Sequence, residues 1–224
     1  MGAGQIGSWQ SAEYVGQWAG EDVLAQLLET PRQISIALVR DSAIEVSHIV
    51  DLGSGEGPYL AELLRAFEGA RGTWLDSSEP MLERARETLA EFGDRVTFVA
   101  APAEELADAG VEAADVVVSS RALHHLTPVA LARCYRDAHD LLRPGGFLFN
   151  LDHVGSNGDW EKRYRRIRNQ FTGSRQNKLN PHREDEPLHA VSEHLRWLEE
   201  AGFAAADVPW RFLHTALIAA RAKA

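Results

Sequence analysis

The chain has 224 residues, of which 45% are hydrophobic and 25% are charged, and its formal net charge is -10. This size suits one α/β domain over 1–224, and the acidic balance argues against DNA binding, because phosphate contacts need a basic surface. The single cysteine, Cys134, excludes an internal disulfide and is typical of a reducing compartment. The N-terminus lacks the pattern of a signal peptide and no apolar run approaches a membrane span, so we expect a cytoplasmic protein that does not bind a membrane.

Short apolar runs alternate with helical patterns through the middle of the chain. Strands are predicted at 49–52, 73–76, 96–100, 115–119 and 147–154, with helices between them at 58–68, 79–92 and 128–142. Strands that alternate with helices at this spacing indicate βαβ units, with helices on both faces of a mostly parallel sheet.

The C-terminal part departs from this alternation. After a helix at 191–201, two β-like runs at 206–212 and 214–221 follow each other with only a short link. A parallel crossover needs a dozen or more residues, so the link predicts antiparallel pairing at this edge. The sequence therefore predicts an α/β fold of Rossmann-like type, with a mostly parallel seven-stranded sheet and an antiparallel C-terminal edge strand.

Two segments lie outside the predicted core. Residues 1–40 look helical, and 156–190 interrupt the alternation after the fifth strand. The second segment has aromatic residues at helical spacing among basic ones, namely Trp160, Tyr164, Ile167 and Phe171. Since open α/β sheets bind ligands at the carboxyl ends of their strands, we expect an N-terminal helical cap and a lid insert there. Core aromatics and a solvated loop around His182 and Glu184 are the alternatives.

A glycine-rich turn follows the first predicted strand, in the segment Val50-Asp51-Leu52-Gly53-Ser54-Gly55-Glu56-Gly57. Its order is Gly-x-Gly-x-Gly, whereas the dinucleotide fingerprint is Gly-x-Gly-x-x-Gly before a helix N-terminus. Asp51 would repel a pyrophosphate and suits a cationic aminoacyl group. Asp76 ends the second strand, where a carboxylate accepts both hydroxyls of a ribose; alone it indicates only a nucleoside.

These motifs make the chain resemble the class I S-adenosylmethionine-dependent methyltransferases over about 45–221, and it looks like the small stand-alone members that act on metabolites. The matching segments are 51–57, 75–82, 103–106, 115–126, 141–146 and 195–203. The resemblance implies S-adenosylmethionine as cofactor, held by Asp51, Gly53, Ser54, Gly55, Gly57, Asp76, Ser77, Met81, Ala103, Glu104, Ser119 and Trp18. Pro102 stands where the family has an acid for the adenine amino group, so Glu104 or a carbonyl would replace it.

Methyl transfer requires an acceptor lone pair about 3–3.5 Å from the methyl carbon, and a base only where the acceptor is protonated. The catalytic candidates near the strand ends are Arg121, His124, His125 and His153. Arg121 replaces a small or apolar residue of the family, and its charge would suit an acidic acceptor. In the alternative interpretation, one ring of the His124-His125 pair is a packing group that takes no part in the reaction. The histidines lack the short spacing of a metal site, so we expect no metal.

The leading prediction is methyl transfer to an oxygen or nitrogen atom of a small-molecule acceptor. One alternative is an RNA-modifying enzyme of the same fold, or one that uses a modified S-adenosylmethionine. The basic insert favours RNA binding, whereas the negative net charge of the whole chain opposes it. The other alternative is an S-adenosylmethionine-binding module without turnover. A homodimer is compatible with the sequence.

Overall fold

The computed structural model describes residues 22–156, 158–172 and 188–224. Trp18 and most of the predicted N-terminal cap before α1 lie outside the described residues, as do His182 and Glu184 of the insert and the side chain of Phe171. The described strands are β1 (His48–Leu52), β2 (Arg71–Asp76), β3 (Val96–Ala100), β4 (Ala114–Ser120), β5 (Leu142–His153), β6 (Ala205–Phe212) and β7 (Thr215–Arg221). The described α-helices are α1 (Asp22–Asp41), α2 (Pro58–Ala66), α3 (Glu79–Thr88), α4 (Pro128–Leu141), α5 (Asp159–Thr172) and α6 (Val191–Ala201).

The strands form one seven-stranded sheet in the order β3-β2-β1-β4-β5-β7-β6. Neighbours among β1 to β5 are parallel, while β7 is antiparallel to both β5 and β6. The predicted α/β class and the mostly parallel sheet are therefore confirmed. The reversed strand β7 lies one position in from the edge, because the turn at Leu213 and His214 folds β7 back between β5 and the outermost strand β6.

The helix ends follow the local sequence. The Ser78 side chain accepts from Met81 N at the start of α3, and the Thr127 side chain accepts from Ala130 N at the start of α4. The helix predicted over 79–92 is shorter in the structure: α3 ends at Thr88 and a 3₁₀ helix, Ala90–Arg95, follows. Gly93 within it has a φ of 52°, a left-handed conformation that turns the chain towards β3.

Helices cover both faces of the sheet, as predicted. Residues of α1, α2 and α3 pack with Ile49, Trp74 and Val116 on one face, and residues of α4 and α6 pack with Val50 and Val117 on the other. Consecutive residues of a strand point to opposite faces, so each central strand contributes apolar side chains to both cores. The sheet is thus buried on both sides and leaves the ends of its strands as the place for a ligand.

The insert leaves and rejoins the sheet at one point. Gly155 N donates to His189 O at 2.7 Å, and Gly155 pairs with Ala190 in a parallel bridge. The backbones are so close that a Cβ on Gly155 would lie 2.2 Å from Leu188 O. The insert therefore begins and ends beside the carboxyl end of β5. Within the described part of the chain, no helix is both long and apolar enough to cross a membrane.

At the opposite end of the sheet, Asp115 ties three segments together. Its Oδ2 accepts from Ser47 N at 2.8 Å, from His48 N at 2.9 Å and from the Arg143 guanidinium at 2.9 Å. Burial raises the pKa of Asp115, but these hydrogen bonds together outweigh burial and hold the pKa below its ordinary value. The carboxylate thus fixes the entries of β1, β4 and β5 relative to each other.

Replacing Asp115 with Ala should lower the free energy of unfolding at pH 7 by about 1–3 kcal/mol, because the buried N–H of His48 and the partly buried N–H of Ser47 lose their acceptor. A lowered folded-state pKa means that this stabilisation is present above about pH 4 and is lost as the pH falls through the folded pKa. The difference from wild type should therefore narrow in acid, as measured by urea denaturation at several pH values. Glu112→Ala, which removes only an exposed ion pair with Arg71, is the control and should cost less than about 0.5 kcal/mol. Equal effects of the two variants would contradict the anchoring role.

Candidate active site

A cavity of about 390 Å³ opens at the carboxyl ends of the parallel strands. It lies where the strand order reverses between β1 and β4, which is the ligand-binding position of open α/β sheets. The predicted site residues that line it are Gly53, Ser54, Gly55, Asp76, Ser77, Met81, Ala103, Glu104, Arg121 and His125. One wall therefore carries the predicted cofactor residues, and the other carries two of the predicted catalytic residues.

The glycine loop is held by hydrogen bonds to the end of β2. Gly53 N donates to Leu75 O at 2.8 Å, Gly55 N donates to Asp76 Oδ2 at 2.9 Å, and Trp74 Nε1 donates to Gly55 O at 2.8 Å. Gly53 and Gly55 have φ values of 61° and 57°, which glycine adopts without strain. The predicted Gly57 does not line the cavity; it precedes α2 in the left-handed conformation.

Gly53 is also required for space. A Cβ on Gly53 would lie 2.3 Å from the Cβ of Ala122, which follows β4 on the opposite wall. At Gly55 the nearest atom to a Cβ would be Met81 Sδ, at an ordinary contact distance of 3.8 Å. Gly53 thus lets the loop after β1 touch the segment after β4, whereas Gly55 is required for its backbone conformation.

Asp51 lies buried beneath the glycine loop, with 1% of its surface exposed. Its Oδ2 accepts from Ser54 Oγ at 2.7 Å, and its Oδ1 has no hydrogen-bond partner among the described residues. Burial raises the pKa of Asp51 to about 7, against the opposing effects of the Ser54 hydrogen bond and the Arg32 charge. A buried acceptor of this kind suits a cationic donor brought by a ligand.

Asp76 reaches the cavity from the end of β2. Its Oδ1 accepts from Ser78 N and its Oδ2 from Gly55 N, both at 2.9 Å. Burial raises the pKa of Asp76, and the backbone donors around it act in the opposite direction. The backbone of Ser77 donates as well. A carboxylate has about four acceptor positions, so these backbone bonds still leave capacity for a ligand hydroxyl.

Helices α1 and α2 build a further wall of the cavity that was not predicted from the sequence. Leu28, Arg32 and Tyr59 line the cavity. The Arg32 guanidinium is bonded to Glu62 Oε1 at 2.8 Å and lies 5.5 Å from the Tyr59 ring centre, while its Nε has no partner among the described residues. The sequence does contain a sign of this wall. Arg32 falls between Leu28 and Ile36 on the apolar stripe of α1, and a charged residue is rarely buried there unless it has a partner.

Arg121, the first residue after β4, adopts a left-handed backbone with a φ of 58°. Its N–H donates to Leu151 O at 2.9 Å, which fixes the end of β4 to β5. Ser120, Arg121, Ala122 and His125 line the cavity in this order along the chain. The predicted Ser119 is buried just before them and donates to Leu52 O at 2.8 Å, without lining the cavity.

His124 and Asp152 form a buried pair beside this wall. Asp152 Oδ2 accepts from His124 N at 2.9 Å, and Asp152 Oδ1 is hydrogen-bonded to the ring Nδ1 of His124 and accepts from His153 N. Burial lowers the pKa of His124 and raises the pKa of Asp152, so neither side chain is readily charged. The pair therefore holds the short 3₁₀ helix Leu123–His125 against the end of β5.

His153 is half-buried behind this pair and does not line the described cavity. Its ring centre lies 5.0 Å from that of His124 and 5.7 Å from that of His214. Trp160 and Tyr164 of the insert also lie outside the described lining: Trp160 is 58% exposed, and Tyr164 packs under the Arg211 guanidinium at 5.7 Å. Within the ranges that the structure describes, no three His, Cys, Asp or Glu side chains converge on a metal position.

Comparison with known proteins finds similarity to one family over part of the chain. Residues 49–146 match the family described as methyltransferase domain. The ubiquinone biosynthesis O-methyltransferase of Vibrio cholerae is 31% identical over 120 residues, which are 53% of this chain and 47% of that protein. The carboxy-S-adenosyl-L-methionine synthase of Wolinella succinogenes is 26% identical over 77% of this chain and 75% of its own length. The chain thus spans about half the length of the ubiquinone-biosynthesis relatives that it matches.

A solved structure of low sequence identity shares the fold. The 1,6-didemethyltoxoflavin-N1-methyltransferase of Burkholderia thailandensis, solved with 1,6-didemethyltoxoflavin and S-adenosylhomocysteine, has a TM-score of 0.65 at 22% identity. The match covers 100% of this chain and 92% of that one.

Gly53→Ala should lower the free energy of unfolding by about 2–3 kcal/mol, because it combines a left-handed alanine with an overlap against Ala122. Adding Ala122→Gly should recover the part caused by the overlap, which a double-mutant cycle of urea denaturation measures. Gly69→Ala is the control, since a Cβ there meets nothing within 4 Å. Additive effects at Gly53 and Ala122 would show that the two loops do not touch as described.

Proposed function

Since the chain belongs to the class I S-adenosylmethionine-dependent methyltransferases, we propose that it transfers a methyl group to an oxygen or nitrogen atom of a small-molecule acceptor. The observation that carries the proposal is the cavity that joins the glycine loop and Asp76 on one wall to Arg121 and His125 on the other. Its volume of about 390 Å³ falls in the range of small-molecule sites. The name of the Vibrio cholerae relative, an O-methyltransferase of ubiquinone biosynthesis, supports an oxygen acceptor.

The residues of the first wall fit S-adenosylmethionine part by part. Asp51 lies beneath this wall and does not itself line the cavity; one of its buried oxygens has no hydrogen-bond partner among the described residues and would accept from the ammonium group. The Gly53 and Gly55 backbones leave room for the aminoacyl chain. Arg32 would offset the cofactor carboxylate, and Asp76 would accept from the ribose hydroxyls. When bound, S-adenosylmethionine supplies a methyl group on a positively charged sulfur.

The adenine would lie on a short wall after β3. Met81 and Pro102 line the cavity there with apolar surface, and Ala103 to Glu105 follow at the start of the 3₁₀ helix Ala103–Asp108. Glu104 also lines the cavity. In this proposal it accepts from the adenine amino group, which is the role of the family's acid at the position of Pro102. Backbone N–H groups at the start of a helix point along its axis and are suited to ring nitrogen acceptors.

The second wall would align the acceptor and exclude water. The buried Asp152 side chain fixes the 3₁₀ helix that carries His125, because it accepts from the backbone N–H of His124; the His125 ring is thereby positioned. His125 lines the cavity, and we assign it the role of base where the acceptor is a hydroxyl that must lose its proton. His124 and His153 were predicted as catalytic candidates; in this proposal they would instead support the wall that carries His125.

The proposal is tested by the release of S-adenosylhomocysteine from wild-type protein against phenols, amines, carboxylic acids and a transfer RNA. We expect turnover with a small molecule and none with RNA. Asp76→Ala should weaken S-adenosylhomocysteine binding at least about tenfold, since hydrogen bonds to a charged group contribute roughly 1.5–3 kcal/mol. Glu83→Ala, an exposed carboxylate on α3, is the matched control and should bind normally. Cofactor binding without release on any acceptor would favour a binding module, and release on RNA alone would overturn the small-molecule assignment.

The affinity for S-adenosylhomocysteine should rise as the pH increases from 6 to 8. The pKa of Asp51 is raised to about 7, so the carboxyl is protonated below this value and can attract the ligand ammonium only above it. Asp51→Asn should bind weakly and show a flat profile in titration calorimetry. The raised pKa also predicts that folding stability falls as the pH rises from about 4 to 7, and that Asp51→Asn removes this loss. A wild-type affinity that is independent of pH would exclude Asp51 as the ammonium partner.

A further inference from the structure

A backbone carbonyl of the acceptor wall is held by a side chain from the end of the insert. The 3₁₀ helix Leu123–His125 ends at Leu126, two residues before α4 begins. Leu126 is 5% exposed, and both Leu126 and His125 line the cavity. The carbonyl oxygen of Leu126 lies 3.1 Å from Nε2 of His189. A carbonyl oxygen can only accept, so Nε2 of His189 carries a proton and donates it to Leu126 O.

His189 is itself fixed through its backbone and through its ring. Its carbonyl oxygen accepts from Gly155 N at 2.7 Å, which joins it to the chain just after β5. Ala190, the next residue, is the N-cap of α6 and donates its N–H to Glu193 Oε2 at 2.8 Å. The His189 ring meets the buried Trp197 ring edge-on, with 5.2 Å between the ring centres. The donor of the hydrogen bond to the acceptor wall therefore has a defined position.

A buried group of polar side chains supports His189 from behind. Asn150 Nδ2 donates to Tyr135 Oη at 2.9 Å, and Tyr135 Oη is hydrogen-bonded to Nδ1 of His194 at 2.7 Å. Each of these three residues is at most 1% exposed. The His194 ring packs edge-on against that of His189, with 6.1 Å between the ring centres. Burial lowers the pKa of His194 to about 4, so this neighbour of His189 is neutral at pH 7.

The short helix that carries His125 is thus held at both ends. At its start, Asp152 Oδ2 accepts from His124 N at 2.9 Å, and at its end His189 donates to Leu126 O at 3.1 Å. The first anchor comes from β5 and the second from the segment that precedes α6. Since His125 lies between the two, the loss of either anchor would let its ring move relative to the cavity.

We propose that His189 is a positioning residue for methyl transfer, which acts through Leu126 O and sets the place of the His125 ring at the acceptor. The inference rests on the proposed methyl transfer and on the role of His125 in it. A base must lie within hydrogen-bond reach of the acceptor, and a displacement of about 1 Å can lower a rate about a hundredfold. His189 lies where the insert rejoins the domain, so the same hydrogen bond connects the insert to the acceptor wall.

Two substitutions separate the hydrogen bond from the shape of the ring. His189→Phe keeps an aromatic ring against Trp197 and removes the donor, whereas His189→Gln offers an amide N–H in place of the ring N–H. His139→Phe is the matched control. The His139 ring also meets an aromatic ring edge-on, that of Phe203 at 5.1 Å, and its hydrogen bond goes to the neighbouring Asp140.

The first measurements need no acceptor. In His189→Phe, the backbone amides of 123–126 should exchange with deuterium about three- to tenfold faster than in wild type, because one hydrogen bond changes a local opening equilibrium by about that factor. The NMR signal of the His125 ring, identified by its loss in His125→Gln, should shift in His189→Phe and return towards wild type in His189→Gln. S-adenosylhomocysteine affinity, measured by titration calorimetry, should be the same in wild type and in both His189 variants.

The second measurement is the release of S-adenosylhomocysteine with whichever phenol, amine or carboxylic acid wild type methylates fastest. His189→Phe should lower kcat by about tenfold or more with little change in the KM for S-adenosylmethionine. His189→Gln should recover most of this loss, and His139→Phe should behave as wild type. A loss of stability alone would not give this division between kcat and KM, and urea denaturation of the same variants measures it separately.

An unchanged His125 signal and unchanged amide exchange in His189→Phe would overturn the inference. So would a shifted signal with undiminished kcat, or a loss of kcat that His189→Gln does not recover. Wild type that releases S-adenosylhomocysteine with none of the acceptors would instead refute the proposed function, and the exchange and NMR measurements would still decide whether His189 holds the wall that carries His125.

Discussion

The arrangement of the site depends on one set of hydrogen bonds, between the glycine loop and the end of β2. Trp74 is fully buried among the side chains of α2 and α3, yet its indole N–H reaches Gly55 O, and Asp76 accepts from Gly55 N in the same loop. A glycine loop without such partners would be free to take many backbone conformations, since glycine loses more entropy on ordering than any other residue. Here the core side chain of Trp74 and the carboxylate of Asp76 hold the loop in one conformation. The packing that buries Trp74 therefore also determines the shape of the cavity.

Contact between the loop at Gly53 and Ala122 extends this constraint to the second wall. Because Arg121 is in turn bonded to Leu151 and His124 to Asp152, the ends of β2, β1, β4 and β5 are joined in sequence across the sheet. The two walls are therefore rigid with respect to each other within the described structure. Alignment of two reactants depends on such rigidity, because the rate of a displacement falls steeply when the reacting atoms are misplaced.

Local patterns predicted most of the fold, whereas contacts between distant residues could not be predicted. Short apolar runs alternating with helical patterns located β1 to β5, and the glycine order with Asp76 identified the cofactor wall. Nothing local showed that Trp74 would hydrogen-bond the loop, because a buried tryptophan is an ordinary core residue. The position of β7 between β5 and β6 could not be predicted either. A short link between two strands predicts that they pair in antiparallel fashion, but it does not show which of the two pairs with the rest of the sheet. Arg32 could have been found as a charge on an apolar stripe, although its partner Glu62 could not.

Because Gly155 and Ala190 pair with each other, the segment between them begins and ends at one place in the domain. Two backbone positions that already touch can be joined by chain of almost any length, because doubling a flexible loop adds only about 0.6 kcal/mol of closure entropy. A change in the length of this segment would leave the sheet and the cofactor wall as they are, since neither shares residues with it. The segment between Gly155 and Ala190 can therefore change in length and sequence while the sheet and the cofactor wall keep their arrangement.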